Sequence, residues 1–385
     1  MNEAQILLDF DEALTTADAD LRHLRDQGGD LGAQIATSAE LMRWLFDGGW
    51  IRWGWPEEVG GCGGSSTVRC QLLERLAQRG YEIPHHLLVL EVVGPAIVNH
   101  APGLAAELLP AALRGDELWC QGFSEPEAGS DLAALRTRVT PRDDDTLLVS
   151  GQKIWTSYGA RADRMVMLAR SGAIEDRHRG LTMLLVDLSA PGVERRPIAL
   201  ASGKEELAEL FFADVLVDSG RVIGEVGGGW AVAMDLLQYE RGTYAWMRMA
   251  TATARLEELL SARMDSAGAD ESLAELAVGR AYLNVAALRA RTSSTLRSLA
   301  AHQVVGPQTS VDKLLLSAAE QGVLDAALSL LDPEVLIGDE PADIRRRDDW
   351  WYSRAASIYG GAREIQHSII ADRILRLPKE ASVGR

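Results

Sequence analysis

The sequence predicts an α+β protein: a helical amino-terminal domain, a middle β domain and a carboxy-terminal helical bundle. Three observations predict it. Up to about residue 118, apolar residues recur at helical spacing. After Trp119 the pattern changes to short apolar runs separated by turn residues. From Gly229 long helical segments return, with the lengths of an antiparallel bundle. A chain of 385 residues also exceeds what one hydrophobic core usually serves, so subdivision is expected, at 1–118, 119–226 and 227–385.

In the first domain the spacing predicts helices around 7–14 and over 35–46, 68–77, 86–99 and 104–113. They are interrupted by Gly48-Gly-Trp-Ile-Arg-Trp-Gly-Trp-Pro-Glu-Glu-Val-Gly-Gly-Cys-Gly-Gly64, a loop by its breakers, whose tryptophans are expected to pack rather than to bind a ring. The middle domain reads as strands at 136–140, 146–149, 164–169, 181–187, 193–197 and 209–217. Turns such as Pro141-Arg-Asp-Asp-Asp145 and Ser189-Ala-Pro-Gly192 separate them. Helices are expected over 230–264, 272–301, 309–331 and 351–376. Arg345-Arg-Arg-Asp-Asp349, with its mixed charge, reads as a solvated loop.

The composition excludes several functions. A formal charge of −17 opposes binding to a phosphate backbone, so no nucleic-acid partner is expected. Cys62, Cys70 and Cys120 form no C-x-x-C, and the seven histidines form no H-E-x-x-H, so neither a disulfide framework nor a metal site is indicated. No apolar run approaches the roughly 20 residues of a membrane span. The first residues, Met-Asn-Glu-Ala-Gln-Ile, lack the basic and apolar regions of a secretory signal, and a cytoplasmic location is expected.

Glu240 and Arg241 attract attention because they interrupt an apolar stripe. Trp230, Ala233, Met234, Leu237, Tyr244 and Ala245 fall on one face at helical spacing, and the charged pair falls within it. An unpaired buried carboxylate costs several kcal/mol, so such a group is either paired locally or kept for chemistry. Two small-residue segments also stand out: Gln121-Gly-Phe-Ser-Glu-Pro-Glu-Ala-Gly-Ser-Asp-Leu-Ala133 and Gly151-Gln-Lys-Ile-Trp-Thr-Ser157. Small residues let backbone amides and hydroxyls approach a polar ligand, and an indole offers it a flat face. Neither a G-x-G-x-x-G following a strand nor a G-x-x-x-x-G-K-[ST] is present.

In this order the two segments resemble the acyl-CoA dehydrogenase family. The resemblance continues through Glu206-Leu-Ala-Glu-Leu-Phe-Phe-Ala-Asp-Val-Leu-Val217, Gly224-Glu-Val-Gly-Gly-Gly-Trp-Ala-Val-Ala233, Tyr239-Glu-Arg-Gly242 and Ile358-Tyr-Gly-Gly-Ala-Arg-Glu-Ile-Gln366. It covers nearly the whole chain. It implies a helical domain, a middle β-barrel or sandwich and a carboxy-terminal four-helix bundle, with FAD as cofactor and an acyl-CoA as substrate. In that family two hydrogen bonds, one from a backbone amide, polarise the thioester carbonyl. A carboxylate removes the α-proton while the β-hydrogen leaves as hydride to flavin N5, giving a trans-2-enoyl-CoA.

Carried onto this chain, the resemblance assigns Gln121, Phe123, Ser124, Gly129, Ser130, Trp155, Thr156 and Ser157 to the flavin, with Ala362 and Glu364 near it. Ser124 and Ser157 are the hydroxyl donors, Trp155 packs beside the isoalloxazine, and Ser130 also approaches the acyl-CoA. Where members with a carboxy-terminal base have Tyr-Glu-Gly-Thr, this chain has Tyr359-Gly-Gly-Ala362, so that carboxylate is missing. Gly360 still offers a backbone N–H. The family's second location for the base falls on Glu240, as in its isovaleryl-CoA and long-chain branches. Gln238, Tyr239, Arg241 and Gly361 then contact substrate. A helix-borne base in this family goes with branched or bulky acyl chains, so a branched, cyclic or sterol-derived group is expected.

Two departures bear on partners. The family's Arg-x-x-Phe-Gly and Gln-x-x-Gly-Gly-x-Gly segments, which complete a neighbour's flavin site, are missing from Glu275-Leu-Ala-Val-Gly-Arg-Ala-Tyr282 and Leu330-Leu-Asp-Pro-Glu-Val-Leu-Ile-Gly338. The resemblance therefore leaves open a homo-oligomer, dimeric or tetrameric, and a heterotetramer with a second chain of the same family. Electron-transfer flavoprotein is the expected acceptor. The rival readings are a flavin monooxygenase or oxidase of the same fold, and a flavin-poor structural subunit.

Overall fold

The computed structural model describes residues 2–25, 30–265, 271–330 and 337–378. The chain divides into two compact units, residues 1–239 and 240–385.

The first unit opens with helices α1 (Glu3–Thr16), α2 (Asp18–Leu21), α3 (Leu31–Asp47), α4 (Ser66–Gln78), α5 (His85–His100) and α6 (Pro102–Arg114). Their starts are chemically marked. Asn2, Asp30 and Ser65 accept backbone N–H groups at the heads of α1, α3 and α4. Proline opens α6, and left-handed Gly115 closes it. In the tryptophan-rich loop, Trp55 is 2% exposed and lies under the Arg69 guanidinium, 4.8 Å from its ring centre. Trp50 packs 5.2 Å from Phe10. These rings pack, as expected.

The strands are β1 (Trp119–Gly122), β2 (Arg138–Pro141), β3 (Thr146–Ser157), β4 (Arg164–Arg170), β5 (Leu181–Asp187), β6 (Val193–Ile198), β7 (Leu207–Asp218) and β8 (Val222–Ile223). Among the described residues they form one sheet in the order β6-β7-β3-β2-β4-β5-β8, with β1 parallel to β4. The expected strand at 146–149 runs on through Gly151 to Ser157, because the register slip there is taken up by an extra residue of β7, where Asp214 has a φ of 54°. A Cβ on Gly151 would lie 2.6 Å from the Thr137 backbone, so only glycine lets the two segments approach. Val149, Met165, Met167, Leu184, Leu210 and Val215 are among the side chains of its buried core.

Carboxylates tie this unit together electrostatically. Burial alone would raise the Glu117 pKa, but hydrogen bonds from Arg164 (2.8 and 2.9 Å) and Trp119 (2.9 Å), with the Arg164 charge, hold it below 4.5. A carboxyl depressed on folding contributes stability above its unfolded pKa, and that contribution is lost as pH falls below about 4.5. The melting temperature is therefore expected to drop on acidification through this range. Glu117→Gln, which cannot titrate, should show a shallower acid limb; equal slopes would remove this pair from the account.

Helix α7 (Gly229–Glu240) follows the sheet. A Cβ at Gly229 would lie 2.6 Å from the Met183 amide nitrogen, so its first turn sits directly against β5. The second unit contains α8 (Thr243–Asp265), α9 (Glu271–Ala300), α10 (Thr309–Leu330), α11 (Pro341–Ser353), a 3-10 turn at Arg354–Ser357 and α12 (Arg363–Ile369). Helix α10 packs against α8, α9, α11 and α12 and buries Leu316, Ala319 and Val323. No described helix is long and apolar enough to cross a membrane.

Three expectations need correction. The helix expected over 230–264 breaks at Arg241 and Gly242, and the buried face of α7 is Val232, Ala233 and Leu236, while Met234 is exposed. Glu240 and Arg241 thus stand at a helix break, not inside a continuous stripe. The helix expected over 351–376 is interrupted before α12 because Gly360 and Gly361 take φ of 62° and 94°. Residues 345–349 lie on α11 rather than in a loop. Their charges bind it to α8: Arg346 reaches Glu258 at 3.3 Å, and Asp349 reaches Arg255 at 2.8 Å. Of the segment 330–338, residues 331–336 lie outside the described residues.

Candidate active site

In the first unit the two small-residue segments are brought together. The Ile154 N–H donates to the Ser124 carbonyl at 3.0 Å, tying β3 to the chain leaving β1. Beneath them lies Lys153, fully buried, whose ammonium donates to the Phe123 carbonyl (3.2 Å), the Leu168 carbonyl (2.7 Å) and Glu125 Oε1 (2.7 Å). Glu125 also accepts from the Arg136 and Thr137 amides at 2.6 and 2.9 Å. Burial lowers Lys153 to about 8, with Glu125 opposing the shift. Burial would raise Glu125, but Lys153 and its other donors hold it below its ordinary value.

The residues expected at the flavin differ in exposure. Register slips between Lys153 and Thr156, and Trp155 takes a left-handed φ of 59° with its indole 58% exposed. A bulky residue in that conformation is a true outlier, and such strain concentrates at functional sites. Gln121, Ser124 and Ser157 are half-buried, and Gly129 and Ser130 are exposed beyond the reciprocal hydrogen bonds of Glu125 and Ala128. Phe123 is buried, and Thr156 turns inward, its methyl 2.9 Å from where a Cβ on Gly159 would stand. An exposed indole plane and two part-exposed serines on the joined segments fit a flat, polar-edged ring system such as a flavin. On α7, Asp235 accepts from Asn99 of α5 (2.9 Å) and from Gln238 (3.0 Å), and Asn99 also donates to the Tyr239 hydroxyl (3.2 Å).

In the second unit the helix break and the diglycine meet. A Cβ on Gly360 would overlap Glu240 Oε1 and stand 3.5 Å from the Lys313 ammonium. The Glu240 carboxylate thus occupies the place of the side chain that residue 360 lacks. Arg241 lies beside Gly361, and burial lowers its pKa while Glu240 raises it. Gln366 donates to the Gly361 carbonyl at 3.1 Å, and Ser317 donates to the Ala356 carbonyl at 2.7 Å, fixing the turn on α10. Among the described residues, the Gly360 N–H donates to no backbone carbonyl. Ala362 caps α12, and Glu364 lies exposed in its first turn.

Sequence reasoning missed Lys153, Glu125 and Lys313. A signal existed. Only four lysines occur among 39 basic residues, and two of them, Lys153 and Lys313, are buried.

The family model for the acyl-CoA dehydrogenase middle domain matches residues 120–215, and that for the acyl-CoA dehydrogenase C-terminal domain matches 227–375. Acyl-CoA dehydrogenase IpdE1 of Mycobacterium tuberculosis is 36% identical over 330 residues, 85% of each chain. Among solved structures, the Tcur3481-Tcur3483 steroid ACAD matches with a TM-score of 0.80 at 23% identity, covering 98% of this chain and 97% of that one. The ChsE4-ChsE5 complex from Mycobacterium tuberculosis matches with a TM-score of 0.78 at 23% identity, covering 98% of both chains.

Proposed function

We propose a reaction from one premise: this chain belongs to the acyl-CoA dehydrogenase family, and is an oxidoreductase. On this reading it desaturates an acyl-CoA thioester between its α and β carbons, giving a trans-2-enoyl-CoA, with FAD as cofactor and Glu240 as the acceptor of the α-proton. One observation carries the choice of base. The Glu240 carboxylate fills the space over Gly360 that a side chain there would claim.

A thioester α-C–H is a weak acid, so proton removal needs a carbonyl already polarised. The Gly360 N–H supplies one donor to that oxygen and stabilises the charge that develops on it. Glu240 takes the proton at Oε1 or Oε2. Arg241 and Gly361 hold the thioester end, and Gln238, Tyr239 and Ser130 contact the acyl-CoA. Trp155, Ser124 and Ser157, with Gln121, Phe123, Gly129 and the Thr156 backbone, would hold the flavin, helped by Ala362 and Glu364. When bound, the flavin supplies the acceptor for two electrons and the β-hydrogen.

The likeness to a structure named as a steroid ACAD supports a cyclic or sterol-derived acyl group. The likeness to the ChsE4-ChsE5 complex supports a heteromeric assembly with a second chain of this family, and electron-transfer flavoprotein is the acceptor on this reading. The test is anaerobic titration of the flavin-loaded protein with straight, branched and steroid-like acyl-CoA esters. Bleaching of the oxidised flavin by the cyclic class is expected. Glu240→Gln should slow it by roughly 10²–10⁴-fold, the usual worth of a general base. No bleaching by any thioester would sink the reaction, and unchanged bleaching in Glu240→Gln would move the base elsewhere.

A further inference from the structure

We infer that Lys313 is a positioning residue for the proton acceptor: its ammonium holds the Glu240 carboxylate ionised and fixed over Gly360. The inference rests on the reading of Glu240 as the base. Lys313 projects from α10 with 5% of its surface exposed. Its Nζ lies 3.5 Å from the Cβ position at residue 360, the same point that Glu240 Oε1 would overlap. Ammonium and carboxylate therefore converge on one small volume. The ammonium also sits 3.9 Å from the centre of the Tyr359 ring, a cation–π contact that restricts where it can go.

The groups that act on it are Glu240 and Arg241 at the helix break, Arg248 on α8, Glu320 on α10 and the Tyr359 ring, which stands in turn beside Tyr244 of α8 and Tyr352 of α11. Glu320 is already engaged, by an ion pair with Arg248 and by the Tyr359 hydroxyl at 3.3 Å. Glu240 acts on Lys313 more strongly than Glu320 does. Burial pulls Lys313 down to about 8, Glu240 and Glu320 oppose this, and Arg248 and Arg241 add to it, so the side chain is charged at neutral pH. A carboxylate in a helical bundle with no facing cation would lose ionisation to desolvation, and an opposite charge within about 4–6 Å reverses that by one to three pH units.

Two measurements test this. The first is a double-mutant cycle in melting temperature, which requires no turnover. Lys313→Met should lower the melting temperature by several degrees more in the wild-type background than in Glu240→Gln, where no carboxylate is stranded. Should Lys313→Met alone fail to fold, the double variant Lys313→Met/Glu240→Gln should fold; equal losses in both backgrounds, or failure of both proteins, would overturn the inference. The second is the pH profile of flavin reduction by substrate. In Lys313→Met, or in Lys313→Gln if the former does not fold, the acid limb should move up by roughly one to three units. An unmoved limb would overturn the inference even where Glu240→Gln is inactive. If Glu240→Gln retains its rate, the assignment of the base fails, and the melting cycle still reports whether the two side chains are coupled.

Discussion

Gly360→Ala is expected to remove nearly all thioester-driven flavin reduction, although it adds a single methyl group far smaller than the carboxylate it disturbs. Two costs arise together. The backbone at 360 has φ of 62°, a left-handed conformation that costs an L-residue roughly 1–2 kcal/mol. The new Cβ would overlap Glu240 Oε1 and press within 3.5 Å of the Lys313 ammonium. The carboxylate must then leave its place, and a displacement of about 1 Å at a reacting group costs on the order of 10²-fold in rate. Stopped-flow reduction under anaerobic conditions measures the first effect and a thermal melt the second. The companion variant Glu240→Ala/Gly360→Ala separates them. Removing the carboxylate relieves the overlap, so the double variant should melt higher than Gly360→Ala and remain inactive. A Gly360→Ala protein with undiminished rate would mean that the carboxylate does not stand over residue 360 during turnover.

The same region shows why the sequence was readable in part. The helix starts were legible because capping chemistry is local: Asn2, Asp30 and Ser65 act within three residues of themselves. The strands were legible where apolar runs ended in turn residues, as at β5 and β6. The reading failed where one glycine carried more weight than the periodicity around it. The strand expected to stop at Val149 runs through Gly151, whereas the chain leaves the helix at Arg241 and Gly242, and again at left-handed Gly360 and Gly361, where the apolar pattern carries through.

Within the candidate site, the lost carboxylate at 360 and the unexplained one at 240 could be paired from sequence alone. Their spatial exchange could not, because it depends on a contact across 120 residues of chain. Lys313 stayed hidden for the same reason. On α10 it reads as one polar residue in an otherwise ordinary amphipathic helix, and nothing nearby in sequence points to Glu240. Buried charges are set by tertiary partners, so periodicity cannot announce them.

Lys153 is the corresponding buried cation of the first unit, and Lys153→Met should be the most destabilising single substitution in the flavin-binding platform. Its ammonium neutralises Glu125 and also holds two backbone carbonyls, at Phe123 and Leu168. Methionine matches the length of the stem but leaves a buried carboxylate without its cation, a defect worth about 3–5 kcal/mol. For a protein of this size the melting temperature should fall by on the order of 10 °C. The consequence for function follows from geometry. The Phe123 carbonyl lies beside Ser124, and Ser124 is bonded through its own carbonyl to Ile154, next to Trp155. Loosening this tie lets the hydroxyl and the indole drift apart, so the purified variant should also retain less flavin. Lys153→Met/Glu125→Gln removes both charges and should recover part of the stability. It lacks the bond to Phe123, so it should recover less of the flavin. Recovery of both in step would mean that charge balance alone, and not the bond to the Phe123 carbonyl, orders the platform.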